Sequence, residues 1–274
     1  MSRLIRLKRL AASRQALKER IAAGLKSSGA RLSGGYQDCL VPLNSDADPL
    51  ASQKGQVRFV LEVAFNYALG GLKRGGYFVD LAAGHPTRLS NTFFLESRLG
   101  WRGLLIEPNP TFACALRRER RSTVVEEPIG TEGKQVQFRF DNGELSGIVG
   151  PGFDNSPKTR QDELLRADIR TLTCRSLSTV LEEQEAPRWM DFLSLDVEGA
   201  ELEVLRDFDF DRWRWKALVI ERPPDDLNLL LDEAGYIQIA HMQYDTFYLH
   251  REQLPEADLR DTRPRFRSTP RKSW

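Results

Sequence analysis

The sequence predicts an α/β domain built on a mostly parallel sheet. Short apolar runs rich in β-branched and aromatic residues alternate with helix-periodic segments, as in successive βαβ units. Four of those runs, "YFVDLAA" (77–83), "GLLIEP" (103–108), "MDFLSLD" (190–196) and "ALVIERP" (217–223), are almost uncharged until a carboxylate closes or nearly closes them. That is the pattern of strands covered on both faces. The last two runs, "YIQIAH" (236–241) and "YDTFYLH" (244–250), stand two residues apart, which predicts an antiparallel hairpin turning at Met242 and Gln243. The hairpin makes the sheet mixed.

Composition bounds the class. A chain of 274 residues fits one large α/β domain with extensions, or two small ones. The hydrophobic share of 41% and charged share of 29% are ordinary for a soluble globular protein. A net charge of +1 gives the whole molecule no bias toward nucleic acid or membrane. The ends are nevertheless basic: Glu19 is the only acid among the lysines and arginines of residues 1–30, and Asp261 the only one in 260–274. Cys39, Cys114 and Cys174 are widely spaced, with no CxxC or Cys/His cluster, so neither a disulfide framework nor a zinc site is expected. A reducing, cytoplasmic location is the simplest reading. No run approaches the length of a transmembrane helix, and the start lacks the apolar core of a signal peptide.

The elements follow in order. Residues 3–26 place Leu4, Leu7, Leu10, Leu17 and Ile21 at helical spacing among Arg and Lys. This reads as an amphipathic helix for a membrane surface or partner, or as a charged helix lying on the domain. Residues 27–54 read as a linker. The expected organisation is a basic helix and linker over 1–54, the α/β domain over 55–251, and a basic, proline-containing tail over 252–274. Val57, Val60, Leu61, Ala64, Phe65 and Ala68 form one apolar helix face. After the first strand, "SNTFFLESRLG" (90–100) predicts a helix capped by Ser90 or Asn91 and ended by Gly100, with Asn91 read either as a cap or as a ligand contact. Pro110 opens the next helix, to about Glu119. "STVVEEP" (122–128) is a third acid-ended strand. "VQFRF" (136–140) and "IRTLTC" (169–174) read as strands, with 141–158 between them as a mobile loop. Helices are expected over about 176–185, from Ala200 to Arg206, and over 225–234.

In open parallel sheets, ligands bind outside the carboxyl ends of the strands. Asp80, Glu107, Glu126 or Glu127, Asp196 and Glu221 all fall at or near such ends. Right-handed crossovers bring those ends to one edge. Crowded carboxylates are stabilised by a cation or by hydrogen-bond donors. Glu107 suits the ribose hydroxyls of two cofactor classes. A nicotinamide dinucleotide also needs a glycine-rich pyrophosphate cradle, G-x-G-x-x-G. The turn here is "DLAAGHPTRLS", with a single glycine. S-adenosyl-L-methionine lacks phosphate and carries an ammonium and a sulfonium, so it fits an acid-lined crevice better.

At this point the chain resembles a known family. "YFVDLAAGHPTRLSNTFFLESRLGWRGLLIEPNP" (77–110), followed by "DFLSLDVEGAELEVLRDFDF" (191–210), is similar to the FkbM family of S-adenosylmethionine-dependent methyltransferases. "SQKGQVRFVLEVAF" (52–65), "SGIV" (146–149) and "YDTFY" (244–248) support the likeness. The resemblance implies the Rossmann-like, seven-stranded methyltransferase sheet with helices on both faces. It implies that Asp80 and the turn Ala82 to Gly84 hold the methionine part, and that Glu107 takes the ribose. Glu126 or Glu127 would approach the adenine, with Asp196 and Glu198 facing the reacting end. The chain departs from the usual first turn, G-A-x-D-G: Ala82 replaces the first glycine, His85 the aspartate and Pro86 the last glycine.

Methyl transfer to a hydroxyl needs positioning and a base. Asp196 and Glu198 stand at i and i+2, so they share a face if their strand persists to 198. One would take the proton and the other orient the acceptor. His85, in the loop over the cofactor, is a second candidate base or a solvent-facing turn residue. His241 and His250 read as structural. No metal site is assigned, because a divalent ion would need further oxygen ligands. The expected activity is O-methylation of a sugar, lipid or secondary metabolite, a small-molecule or glycan acceptor. Nothing has the pattern of a nucleic-acid reader. Part of the acceptor pocket is expected from 141–168 and from the segments before residue 55. The altered first turn and basic ends leave a rival open, a methyltransferase-like module acting by protein or membrane contact.

Overall fold

The computed structural model describes residues 74–242 and 244–253. The basic helix over 3–26, the linker, the helix face from Val57 to Ala68 and the tail beyond 253 lie outside the described residues.

Seven strands form the main sheet: β1 (Tyr77–Leu81), β2 (Arg102–Ile106), β3 (Thr123–Val125), β7 (Trp189–Leu195), β8 (Arg214–Glu221), β9 (Tyr236–Met242) and β10 (Asp245–His250). Their order is β3-β2-β1-β7-β8-β10-β9. The first five are parallel, and β10 lies antiparallel between β8 and β9. This is the Rossmann-like order, with its switch point beside β1. Asp80 stands level with Leu105 of β2 and Ser194 of β7.

Alternation along the strands sorts the side chains. Val79, Leu81, Leu104, Ile106, Leu193, Leu195, Leu218 and Ile220 join one core with helices α4 (Leu177–Glu183), α5 (Glu201–Leu205) and α6 (Asp225–Glu233). On the opposite face, α1 (Phe93–Leu99) begins against β1, where Thr92 Oγ1 donates to Asp80 Oδ2 at 2.7 Å. Helix α2 (Pro110–Glu119) opens on its proline, with Asn109 accepting from the Thr111 N–H as N-cap.

Three expectations need correction. The cap position of α1 is Thr92, not Ser90 or Asn91; Ser90 Oγ instead accepts the N–H groups of Thr92 and Phe93 from outside the helix. The hairpin turns one residue later, because β9 runs through Met242, which pairs with Asp245. Residues 141–158 are not an open loop. They hold a 3-10 turn (Gly143–Leu145), strand β5 (Gly147–Val149) and the start of α3 (Pro157–Leu164). With β4 (Gln135–Arg139) and β6 (Ile169–Thr173), β5 makes a small antiparallel sheet ordered β5-β4-β6. The segment reads as loop because its anchors are polar. Buried Asn155 donates to Leu145 O at 2.9 Å, and its Oδ1 accepts from Asn142 and Arg139.

Candidate active site

The ends of β1, β2 and β7 meet around a cavity of about 480 Å³, closed on one side by the 142–148 segment of the small sheet. Asp80, Glu107, Glu127, Glu144, Asp196 and Glu198 line it. Its basic side chains are His85 and Arg88, and Arg88 is paired with Glu144 at 2.9 Å.

Glu107 follows the last residue of β2 and is 4% exposed. Its Oε2 accepts the Gly84 N–H at 2.9 Å, and its Oε1 accepts the Asn109 N–H at 2.8 Å. Burial pushes its carboxyl up to about 7, against the pull of those two donors. The same bonds bind the turn after β1 to the end of β2. Within that turn Ala82 has φ 56° and Gly84 also φ 56°. A left-handed alanine costs about 1–2 kcal/mol, so this turn carries strain where a glycine would carry none. Ala82 and Gly84 both line the cavity, but the Gly84 N–H is spent on Glu107.

Asp80 is the fourth residue of β1, not its end, and is 3% exposed. Thr92 and Ser194 donate to it. Burial raises its carboxyl above the ordinary range. Behind it lies a group that pattern reading missed. Arg120, buried after α2, donates to Thr92 Oγ1, Ser90 Oγ, Pro86 O and Glu96. Glu96 in turn accepts from the backbone of Arg121 and Ser122 and from the Ser122 hydroxyl. Removing one partner of such a buried pair costs about 3–5 kcal/mol. Arg120 therefore holds the 86–92 segment against the sheet. It sits in the run "RRERR" (117–121), where no periodicity marks the buried arginine.

At the far side, β7 ends at Leu195, so the shared-face argument for Asp196 and Glu198 does not apply. Glu198 reaches the cavity through a left-handed backbone, φ 55°. Asp154 N–H donates to Glu198 O at 3.0 Å, and Gly199 lets that chain approach: an added Cβ would lie 3.1 Å from Phe153 Cα. The small sheet is thus docked onto the 198–199 turn. Glu198 does not cap α5; Glu201 does so from inside, accepting the N–H groups of Val197 and Gly199. Burial, a hydrogen bond to Asp154 and the charge of Glu221 push Glu198 up to about 8. Asp196 is held well above the carboxylate range by burial and by Glu221 and Glu198, and it hydrogen-bonds Glu221. Arg222, also unmarked by pattern, bridges Asp154 and Glu221 at 2.6 and 2.7 Å and reaches Glu198 at 3.4 Å. Its place directly after an acid-ended strand was the available signal.

Two expected residues are placed differently. Glu126 is exposed, pairs with Arg117 at 2.6 Å and does not line the cavity; its neighbour Glu127 does. His85 lines the cavity, but its Nδ1 accepts the N–H groups of Thr87 and Arg88 at 3.2 and 3.0 Å. That leaves Nε2 as a donor rather than a base. Away from the site, His250 is buried against Trp189 and Tyr236, and His241 meets Thr246. Two buried side-chain oxygens of cavity-lining residues lack a protein partner, Asn91 Oδ1 and Asp196 Oδ1. Among the described residues no helix is long and apolar enough to cross a membrane.

The model of the methyltransferase FkbM domain matches residues 80–237, more than half of the chain. A methyltransferase FkbM from Methylobacillus flagellatus KT is similar at 17% identity and a TM-score of 0.38, over 68% of this chain and 46% of that one. This chain thus spans less than half of that protein's length. A precorrin-6y C5,15-methyltransferase from Geobacter metallireducens GS-15 is similar at 14% identity and a TM-score of 0.36, over 75% and 91%. No curated protein matches.

Proposed function

The chain belongs to the FkbM methyltransferase domain family, and from that premise we propose that it methylates a hydroxyl of a neutral small-molecule or glycan acceptor, using S-adenosyl-L-methionine. One observation carries the reading: Glu107 and Glu198 face a single cavity from the ends of two parallel strands, one held by N–H donors and the other among acids.

The lining fits the cofactor's chemistry. It is acid-rich and holds partnerless buried oxygens, Asn91 Oδ1 and Asp196 Oδ1, which suit a cationic ligand bearing donors. The paired state of Arg88 leaves little for a pyrophosphate. When bound, S-adenosylmethionine supplies the activated methyl group. Glu107, already oriented by Gly84 and Asn109, accepts the ribose hydroxyls with its remaining lone pairs. Glu127, not Glu126, stands on the adenine side. Glu198 takes the acceptor's hydroxyl proton, and its value near 8 suits a base working close to neutrality. Asp196 orients the acceptor, with Arg222 holding the Asp154, Glu198 and Glu221 group together. An acidic lining disfavours phosphorylated or carboxylated acceptors and favours neutral polyols.

The test is calorimetric titration with S-adenosylmethionine and S-adenosylhomocysteine, then labelled-methyl transfer to a panel of neutral sugars and lipid alcohols. Binding of both cofactor forms and transfer to a hydroxyl are expected. Folded protein that binds neither would favour the non-catalytic module.

A further inference from the structure

We propose that Leu89 and Leu145 are acceptor-specificity residues, apolar lips at the cavity entrance that take an uncharged aliphatic arm carried by the hydroxyl acceptor. This rests on the reading above and narrows its acceptor class.

Exposure defines the entrance. Of the described residues that line the cavity, Arg88, Leu89, Gly143, Glu144 and Leu145 are the exposed ones. They belong to two short pieces of chain, 88–89 and 143–145, which Arg88 and Glu144 join at 2.9 Å. Each piece is held at both feet by one buried side chain. Arg120 Nη1 donates to Pro86 O at 3.1 Å and to Ser90 Oγ at 3.2 Å. Asn109 Nδ2 donates to Phe140 O at 3.1 Å and to Ser146 Oγ at 3.5 Å. Buried polar groups satisfied in this way rigidify what they hold. The entrance is therefore a preformed frame.

What the frame presents is apolar. Leu89 and Leu145 are 38% and 43% exposed. Leu89 is also left-handed, with φ 60°, and strain of that kind collects where a segment meets a ligand. Two leucines kept in water by buried clamps gain apolar contact when a ligand covers them. The charges beside them offset each other in the Arg88–Glu144 pair, so the frame offers an ionic group little. Glu198 is buried, inward of the frame. An acceptor whose hydroxyl reaches Glu198 leaves the rest of itself between the leucines. The part that fits there is uncharged and aliphatic.

The test is calorimetric, on protein saturated with S-adenosylhomocysteine. The probes are 1-butanol, 1-hexanol and 1-octanol, which keep one hydroxyl and lengthen the arm. Affinity is expected to rise about two- to fourfold per added methylene. Leu89→Gly, which also relieves the left-handed strain, and Leu145→Ser should each cut the gain from butanol to octanol about fivefold or more. Both variants should keep S-adenosylhomocysteine affinity within about twofold. Leu229→Ser, at an exposed leucine of α6 that does not line the cavity, should leave the gain unchanged. A flat response to chain length in wild-type protein would overturn the proposal, as would an undiminished gain in the two lip variants or an equal cut in Leu229→Ser. So would a loss of S-adenosylhomocysteine affinity as large as the loss for octanol, which would mean that the leucines serve the cofactor. Wild-type protein that does not bind S-adenosylhomocysteine would sink the cofactor reading, and this inference with it. A flat response in protein that does bind it removes the inference alone.

Discussion

Glu107 and Glu198 are the same chemical group, both buried, both lining one cavity, and each follows a strand of the main sheet. Burial raises both carboxyls. Their neighbours differ. Glu107 is met by two backbone N–H groups, from Gly84 and Asn109. Glu198 is met by Asp154 and Glu221, with Arg222 at the longer distance of 3.4 Å. The comparison teaches that the strand end only delivers an acid to the cavity, and that the groups behind it set its surroundings. In the roles proposed above, those surroundings keep Glu107 an acceptor for a bound hydroxyl and let Glu198 trade a proton.

The contrast can be broken most forcefully at Glu198. Glu198→Gln keeps the shape and removes the base; methyl transfer to whichever hydroxyl the wild type methylates should fall about 10²–10⁴-fold. A loss under threefold would remove Glu198 from proton transfer. Next in size is the pH profile. A base at about 8 must lose its proton to act, so transfer should rise about tenfold per pH unit below that value and level off above it. A profile flat from pH 6 to 9 would contradict the assignment. The same shift has a stability sign. The folded protein holds protons on Glu107 and Glu201 to about 7, and on Glu198 to about 8, that the unfolded chain has already released. Their contribution is full below the ordinary carboxylate range and is lost as pH climbs through 7 and 8. The thermal midpoint of the ligand-free protein should therefore fall across that window, and Glu198→Gln should flatten its upper end.

A smaller effect sharpens the Glu107 side. Glu107→Ala strands the Gly84 and Asn109 N–H groups, and urea unfolding should show a loss of about 1–3 kcal/mol. The smallest effect belongs to Glu126. Exposed and paired with Arg117, it should tolerate Glu126→Ala with S-adenosylhomocysteine affinity unchanged within about twofold. A larger loss there would bring Glu126 back to the adenine.

What could be read from the residues was whatever depends on period and punctuation. Apolar runs marked five parallel strands and the closing hairpin; of the acids at or near the ends of the parallel strands, Asp80, Glu107, Glu127 and Asp196 line the cavity, while Glu126 and Glu221 do not. Other features depend on events that pattern does not encode. The pleat stops at Val125, so alternation cannot choose between Glu126 and Glu127. A left-handed backbone at Glu198 replaces the strand continuation that i, i+2 spacing suggests. Arg120 and Arg118 are two residues apart in one basic run, yet the first side chain is fully buried and the second is 73% exposed. The polar segment 141–158 reads as loop because its order comes from Asn155 and Arg139, not from an apolar stripe.

Side-by-side calorimetry of S-adenosylhomocysteine with Glu107→Ala and Glu198→Gln tests the division of labour directly. The first variant should bind more than about tenfold weaker than wild type, and the second within about threefold of it. Equal losses, or a loss confined to Glu198→Gln, would contradict the account.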